Sequence, residues 1–122
     1  MSEAAAPTLY GIANCDTVRK TRAWLAANGV DTVFHDFKKL GLSPALAQRW
    51  TDAVGWETLV NRKGTTWRSL PQARRELVTD ADAAHALMQE FPSVVKRPVL
   101  EVGAQVIVGF DEARYRLLFE RP

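Results

Sequence analysis

The chain has 122 residues, the length of one ordinary domain with a buried core. Hydrophobic residues make up 47% and charged residues 25%, which excludes a disordered chain, and no apolar run is long enough to cross a bilayer. Sixteen basic and 14 acidic residues leave a formal charge of +2, too balanced to imply nucleic-acid binding, so neither nucleic acid nor membrane is an expected partner.

The leading MSEAAAPT is short, carries an acidic residue and lacks an apolar core. Residues 1–7 therefore read as a loose terminus and not as a secretory signal, and a cytoplasmic location is expected. TLYGIA at 8–13 reads as a buried strand. In the following DTVRKTRAWLAANG, Val18, Thr21 and Leu25 recur at helical spacing before Gly29 stops the helix. DTVFHDF at 31–37 alternates as a strand, with Val33, His35 and Phe37 on one side and Thr32, Phe34 and Asp36 on the other. This β-α-β opening leaves room for a right-handed parallel crossover.

Ser43 and Pro44 mark the start of a helix whose inner face holds Leu46, Trp50, Ala53 and Val54, closed by Gly55. WETLVNRKGTTWRSL has a turn at Lys63-Gly64 and no clean period, so it reads as a loop with short helical pieces. A further helix begins at Thr79, with Asp82 in capping-box position and Ala84, Leu87, Met88 and Phe91 on one face until Pro92. Val99 to Val102 and Val106 to Phe110, separated by Gly103-Ala104, read as an antiparallel hairpin. Asp111 then caps a last helix, with Phe110 and Tyr115 as a hydrophobic staple. The order is β-α-β, a helical insertion over roughly 41–92, then β-β-α, and both halves are expected to join in one mixed sheet of a single α/β domain.

Cys15 is the only cysteine, so no intrachain disulfide can form, which fits a reducing compartment. It stands where a strand gives way to a helix. Unpaired backbone N–H groups and the positive end of the helix dipole meet there, and both stabilise a thiolate more than a thiol. Thiolates are the nucleophilic form, and helix N-termini are among the places where proteins favour them. Asp16 opposes this effect with its charge, whereas Arg19 and Lys20 support it. The alternative is that Cys15 is a small buried hydrophobe. Val18 occupies the fourth position of CDTV, so there is no internal resolving thiol, and an external thiol must complete any reaction of Cys15.

Several separated blocks, YGIANCDTVRKTRAWL, HDFKKLGLS, LVNRKGTTWRSL, VKRPVL and VGF, together resemble the arsenate reductase-related (ArsC-like) family, and within it the YffB-like subgroup. The resemblance runs from about Leu9 to Phe119. It implies a thioredoxin-like fold, β-α-β joined to β-β-α with a helical insertion, in accord with the order read from the residues. It also implies that Cys15 is the nucleophile, that Arg62 in LVNRK lies near an anion site, and that Arg97 in KRPV precedes a cis Pro98. A guanidinium beside a thiolate favours its ionisation and offers forked donors to a carboxylate or oxyanion. For each arginine the alternative is a solvated surface charge. True arsenate reductases of the family carry a third arginine after the last strand, where this chain has Gly109, and that counts against arsenate reduction. Related transcriptional regulators carry a CxxC and bind RNA polymerase, and Val18 removes that switch here.

Asn14, directly before Cys15, reads as a helix cap or a substrate donor. His35 and His85 share no metal-ligand spacing with Cys15, so no metal and no bound cofactor are expected. The four tryptophans could line a substrate groove, although large aromatics usually serve packing; Trp67 with Arg68, close to Arg62 in sequence, is the foremost candidate. The expected activity is a glutathione-dependent thiol-disulfide reductase. Cys15 and Arg97 would be catalytic, and Arg62, Asn14 and Pro98 would bind glutathione or substrate. Glutathione is then a co-substrate, and the partner a small oxidised or disulfide substrate. The alternatives are an arsenate reductase, or a non-enzymatic adaptor for a protein such as RNA polymerase.

Overall fold

In the computed structural model, which describes residues 6–119, the chain opens with β1 (Thr8–Gly11), α1 (Asp16–Ala27) and β2 (Val33–Asp36). It closes with β3 (Val99–Val102), β4 (Gln105–Val108) and α8 (Glu112–Phe119). The expected loose terminus at 1–7 falls mostly on residues 1–5, which lie outside the described residues. The four strands form one mixed sheet in the order β2-β1-β3-β4, with β3 antiparallel to both β1 and β4. This β-α-β plus β-β-α sheet is the thioredoxin-like arrangement that the resemblance implies. Between the halves lie α2 (Phe37–Leu40), α3 (Pro44–Val54), α4 (Trp56–Leu59), α5 (Thr65–Arg68), α6 (Gln72–Glu76), α7 (Ala81–Glu90) and a 3-10 turn at Pro92–Val94. The chain divides into two compact units, one built from the segments up to His35 and from Arg97 onward, the other from Asp36–Lys96.

The first unit is organised by a row of side chains across three strands. Leu9 is paired with Leu100, and Leu100 with Ile107. All three are at most 1% exposed, and they pack with Leu25 of α1 and Tyr115 of α8. Because side chains alternate along a strand, one register places this whole row on the helix-covered face. Val18, Thr21 and Leu25 are the buried residues of α1, as their spacing predicts. The hairpin forms as expected but is shifted, because β4 runs Gln105–Val108 and not to Phe110. Gly109 ends it with φ 81, a left-handed conformation that a side chain would strain, while its N–H still bonds the Pro98 carbonyl at 2.8 Å. Phe110 leaves the strand and meets the Tyr115 ring edge-on at 5.1 Å, and the Asp111 carboxylate accepts from the Arg114 N–H at 3.2 Å, so cap and staple form together.

Tyr115 carries a cost as well as an anchor. Its hydroxyl is buried and, among the described residues, has no hydrogen-bond partner. Burial, and secondarily the negative charge of Asp111, push its ionisation far above the ordinary tyrosine range. An unsatisfied buried hydroxyl costs on the order of 1–3 kcal/mol, so Tyr115→Phe is expected to raise stability by about 1 kcal/mol in thermal unfolding. A group with a raised folded pKa loses its stabilising contribution as pH climbs past the unfolded value, and the same substitution should therefore flatten the alkaline limb of the stability profile. A drop in melting temperature would show that the hydroxyl has a stabilising role after all.

In the second unit the expected strand over 31–37 is cut short at Asp36. The Asp36 carboxylate accepts from the N–H groups of Lys38 at 3.0 Å and Lys39 at 3.3 Å, which starts a single turn of helix and turns Phe37 into a fully buried residue of this unit's core. Ser43 caps α3 as predicted, accepting from the Leu46 N–H at 3.1 Å. The buried arc of α3 is Leu46, Ala47 and Trp50; Ala53 is exposed because it falls off the edge of that arc. The sequence reading begins α7 at Thr79 with Asp82 in a capping box, but Asp80 is the cap. Its carboxylate accepts from the Ala83 N–H at 2.9 Å, which leaves Asp82 in the first turn. The inner face of Ala84, Leu87 and Met88 stands as predicted. The region from Trp56 consists of short helical pieces, and α6 was not anticipated, since five residues carry too little periodicity to register.

Candidate active site

The site is built at the end of β1. Gly11 is buried there, and a Cβ on it would approach Val18 Cγ2 to 2.8 Å, so glycine is what lets the strand end lie close against α1. Four residues later the chain reaches Cys15, which takes the N-cap position of α1 with φ −141 and ψ 125. Its carbonyl accepts the Arg19 N–H at 2.9 Å, its side chain makes no capping bond, and the residue is half-buried. The thiol therefore stands at the mouth of the helix with its sulfur uncommitted. The residue is partly buried and not sealed within the core.

Asn14 is not the cap. It is exposed, and its Oδ1 accepts from Arg19 Nη1 at 3.0 Å. Arg19 Nη2 bonds the Asp16 carboxylate, so one guanidinium holds both sequence neighbours of Cys15. The sequence reading assigned Arg19 only a charge; the short spacings within NCDTVR, three residues to Asp16 and five to Asn14, were the available signal.

Arg97 and Pro98 precede β3, joined by a cis peptide bond as the resemblance implies. In the antiparallel register Tyr10 lies opposite Val99, so the start of β3 lies beside the end of β1. That pairing brings Arg97-Pro98 to the same end of the sheet as the loop leading to Cys15. Arg97 is half-buried with its Nε buried. Pro98 has no N–H, and its carbonyl accepts the Gly109 N–H at 2.8 Å.

Arg62 belongs to the second unit, on the segment between α4 and α5, and is exposed. Its guanidinium lies over the Trp56 ring at 5.4 Å and the Trp67 ring at 5.9 Å. Together with Arg75 and Val78 these residues line an open cleft of about 560 Å³. Trp67 thus lines a cleft together with Arg62. Lys63 is a turn residue, its N–H donating to Asn61 Oδ1 at 3.2 Å. His35 stacks on Tyr10 at 5.0 Å between ring centroids, and His85 Nε2 pairs with the Thr51 hydroxyl at 2.7 Å. Among the described residues no group of three His, Cys, Asp or Glu is placed to hold a metal ion.

A half-exposed cysteine at the first helix of a β-α-β/β-β-α sheet, with an Arg-cis-Pro step ahead of the third strand, defines a protein of the thioredoxin-like class. Within that class the chain belongs to the ArsC family, whose model matches residues 10–118. It is similar to the structure of the YffB protein, with 41% identity, a TM-score of 0.89, and coverage of 93% of this chain and 99% of that one. It is also similar to an arsenate reductase (ArsC) related protein from Brucella melitensis, at 45% identity and a TM-score of 0.76 over 99% of this chain and 100% of that one. An uncharacterized protein from Haemophilus influenzae is 35% identical over 92% of this chain and 97% of its own length.

Proposed function

We propose that this protein is a glutathione-dependent thiol-disulfide reductase with Cys15 as its nucleophile. The observation that carries the reading is the position of Cys15, an N-cap residue whose sulfur is spent on no capping bond. Membership of the ArsC family, with relatives named for arsenate reduction, supports thiol-based reduction as the chemistry.

The Cys15 thiolate attacks the glutathione sulfur of a glutathione mixed disulfide. A new S–S bond forms to Cys15, the old one breaks, and the departing thiolate takes up a proton to leave as a thiol. The thiolate of a second glutathione then attacks the sulfur of the bound glutathione. Oxidised glutathione leaves, and the electron pair of the broken bond returns to Cys15. One free glutathione is thus consumed per turnover, the other half of the oxidised glutathione comes from the substrate, and no second cysteine is required. Arg97 would hold a glutathione carboxylate through forked donors, and Arg62 would offer an anion contact in the cleft of the second unit. A cytoplasmic setting would supply the reductant. Gly109, with its positive φ, occupies the position at which the family resemblance implies an arginine in arsenate reductases, and this supports disulfides over arsenate as substrates.

Reduced protein incubated with oxidised glutathione is expected to gain the mass of one glutathione. In Arg97→Ala the adduct should form about tenfold more slowly, the effect of losing one charge-assisted hydrogen-bonded contact. Failure of the wild type to form the adduct would remove the proposal. An unchanged rate in the variant would remove Arg97 from it.

A further inference from the structure

Arg19 makes three contacts that bracket the thiol. Its backbone N–H donates to the Cys15 carbonyl at 2.9 Å, as a helical residue at that position does. The other two contacts are particular to its side chain. Nη1 donates to Asn14 Oδ1 at 3.0 Å, and Nη2 donates to the Asp16 carboxylate. The residue before Cys15 and the residue after it are thereby tied to one rigid, planar group.

Such a surface pair adds little to stability. The Asp16 side chain is 95% exposed and that of Arg19 is 56% exposed, and pairs of this kind are worth about 1 kcal/mol at most. Placement is the better account. Asp16 is the first residue of α1 and its charge suits the helix dipole, but it also directly follows Cys15 in the chain, where a carboxylate works against an anionic nucleophile. A guanidinium bound to that carboxylate removes the conflict without removing the acid. Its second nitrogen meanwhile holds Asn14, and so restrains the loop from which Cys15 projects. Among the described residues, no other side chain is recorded bonding either Asn14 or Asp16.

We infer that Arg19 is a positioning residue for Cys15, which clamps Asn14 and Asp16 on either side of the thiol and masks the Asp16 charge. The inference rests on the reading of Cys15 as the reacting group, but it concerns the reactivity of the sulfur and not the identity of the reductant. Lysine could not replace arginine fully, because a single ammonium cannot present two parallel donors in a fixed plane.

The test is the rate at which iodoacetamide alkylates Cys15 at fixed neutral pH and low salt, measured without glutathione. Arg19→Ala is expected to react about threefold more slowly than wild type, and Arg19→Lys at an intermediate rate. Adding Asp16→Asn to Arg19→Ala should restore part of the wild-type rate, since no carboxylate then remains to be masked while the hold on Asn14 stays lost. About 1 M salt should shrink the gap between wild type and Arg19→Ala. A wild-type rate in Arg19→Ala would overturn the inference, as would a double variant as slow as the single one. Normal alkylation behaviour with no glutathione turnover would refute the reductase reading and leave the role of Arg19 standing.

Discussion

Cys15→Ser is expected to abolish the glutathione adduct and all glutathione-dependent disulfide reduction while leaving the fold intact. The chain holds one cysteine, so no other thiol can take over. A serine hydroxyl at the same N-cap stays protonated at neutral pH and cannot form the mixed disulfide. Serine is also a favoured N-cap residue, and the Cys15 backbone is already extended, so the helix should be as stable or slightly more so. Intact mass after exposure to oxidised glutathione reads the first outcome, and circular dichroism with thermal unfolding reads the second. Residual turnover above the uncatalysed rate would show that reduction proceeds by another route. Binding of a protein partner that survives this substitution would favour an adaptor role.

Leu100→Ala should be the most damaging of the single substitutions considered for the fold. Leu100 sits in β3, between β1 and β4, and is fully buried with Leu9 on one side and Ile107 on the other. Truncating a leucine in such a site costs about 2–5 kcal/mol, because the lost contacts are added to the cavity left behind. For a domain of this size the melting temperature should fall by roughly 10 °C or more. β3 also follows Arg97-Pro98, so adduct formation should weaken together with stability. A loss below about 1 kcal/mol would mean that the row of Leu9, Leu100 and Ile107 is not the main support of the sheet.

Both predictions depend on features of different legibility. The short-range ones were readable as residues. The Ser43 cap, the periodicity of Val18, Thr21 and Leu25, the hairpin around Gly103-Ala104 and the Phe110/Tyr115 staple all depend on neighbours a few positions away. Errors arose where two local rules competed. Asp36 could continue an alternating strand or cap a helix, and the two amide bonds that its carboxylate accepts decided for the cap. Asp80 and Thr79 both suit a helix start, and the carboxylate prevailed.

By itself, then, the sequence determined the β-α-β and β-β-α halves with the two longer helices between them, the single thiol at a strand-to-helix junction and the family to which the chain belongs. Tertiary structure alone decided which distant residues share an end of the sheet. Tyr10 and Val99 are 89 positions apart, and only strand pairing brings Arg97 to the side from which Cys15 emerges. It also decided that His85 meets the Thr51 hydroxyl and that the Gly109 N–H meets the Pro98 carbonyl. Local propensity is set by bonds within a turn or two of the chain, whereas a site is set by register and side-chain reach, which no window of sequence contains.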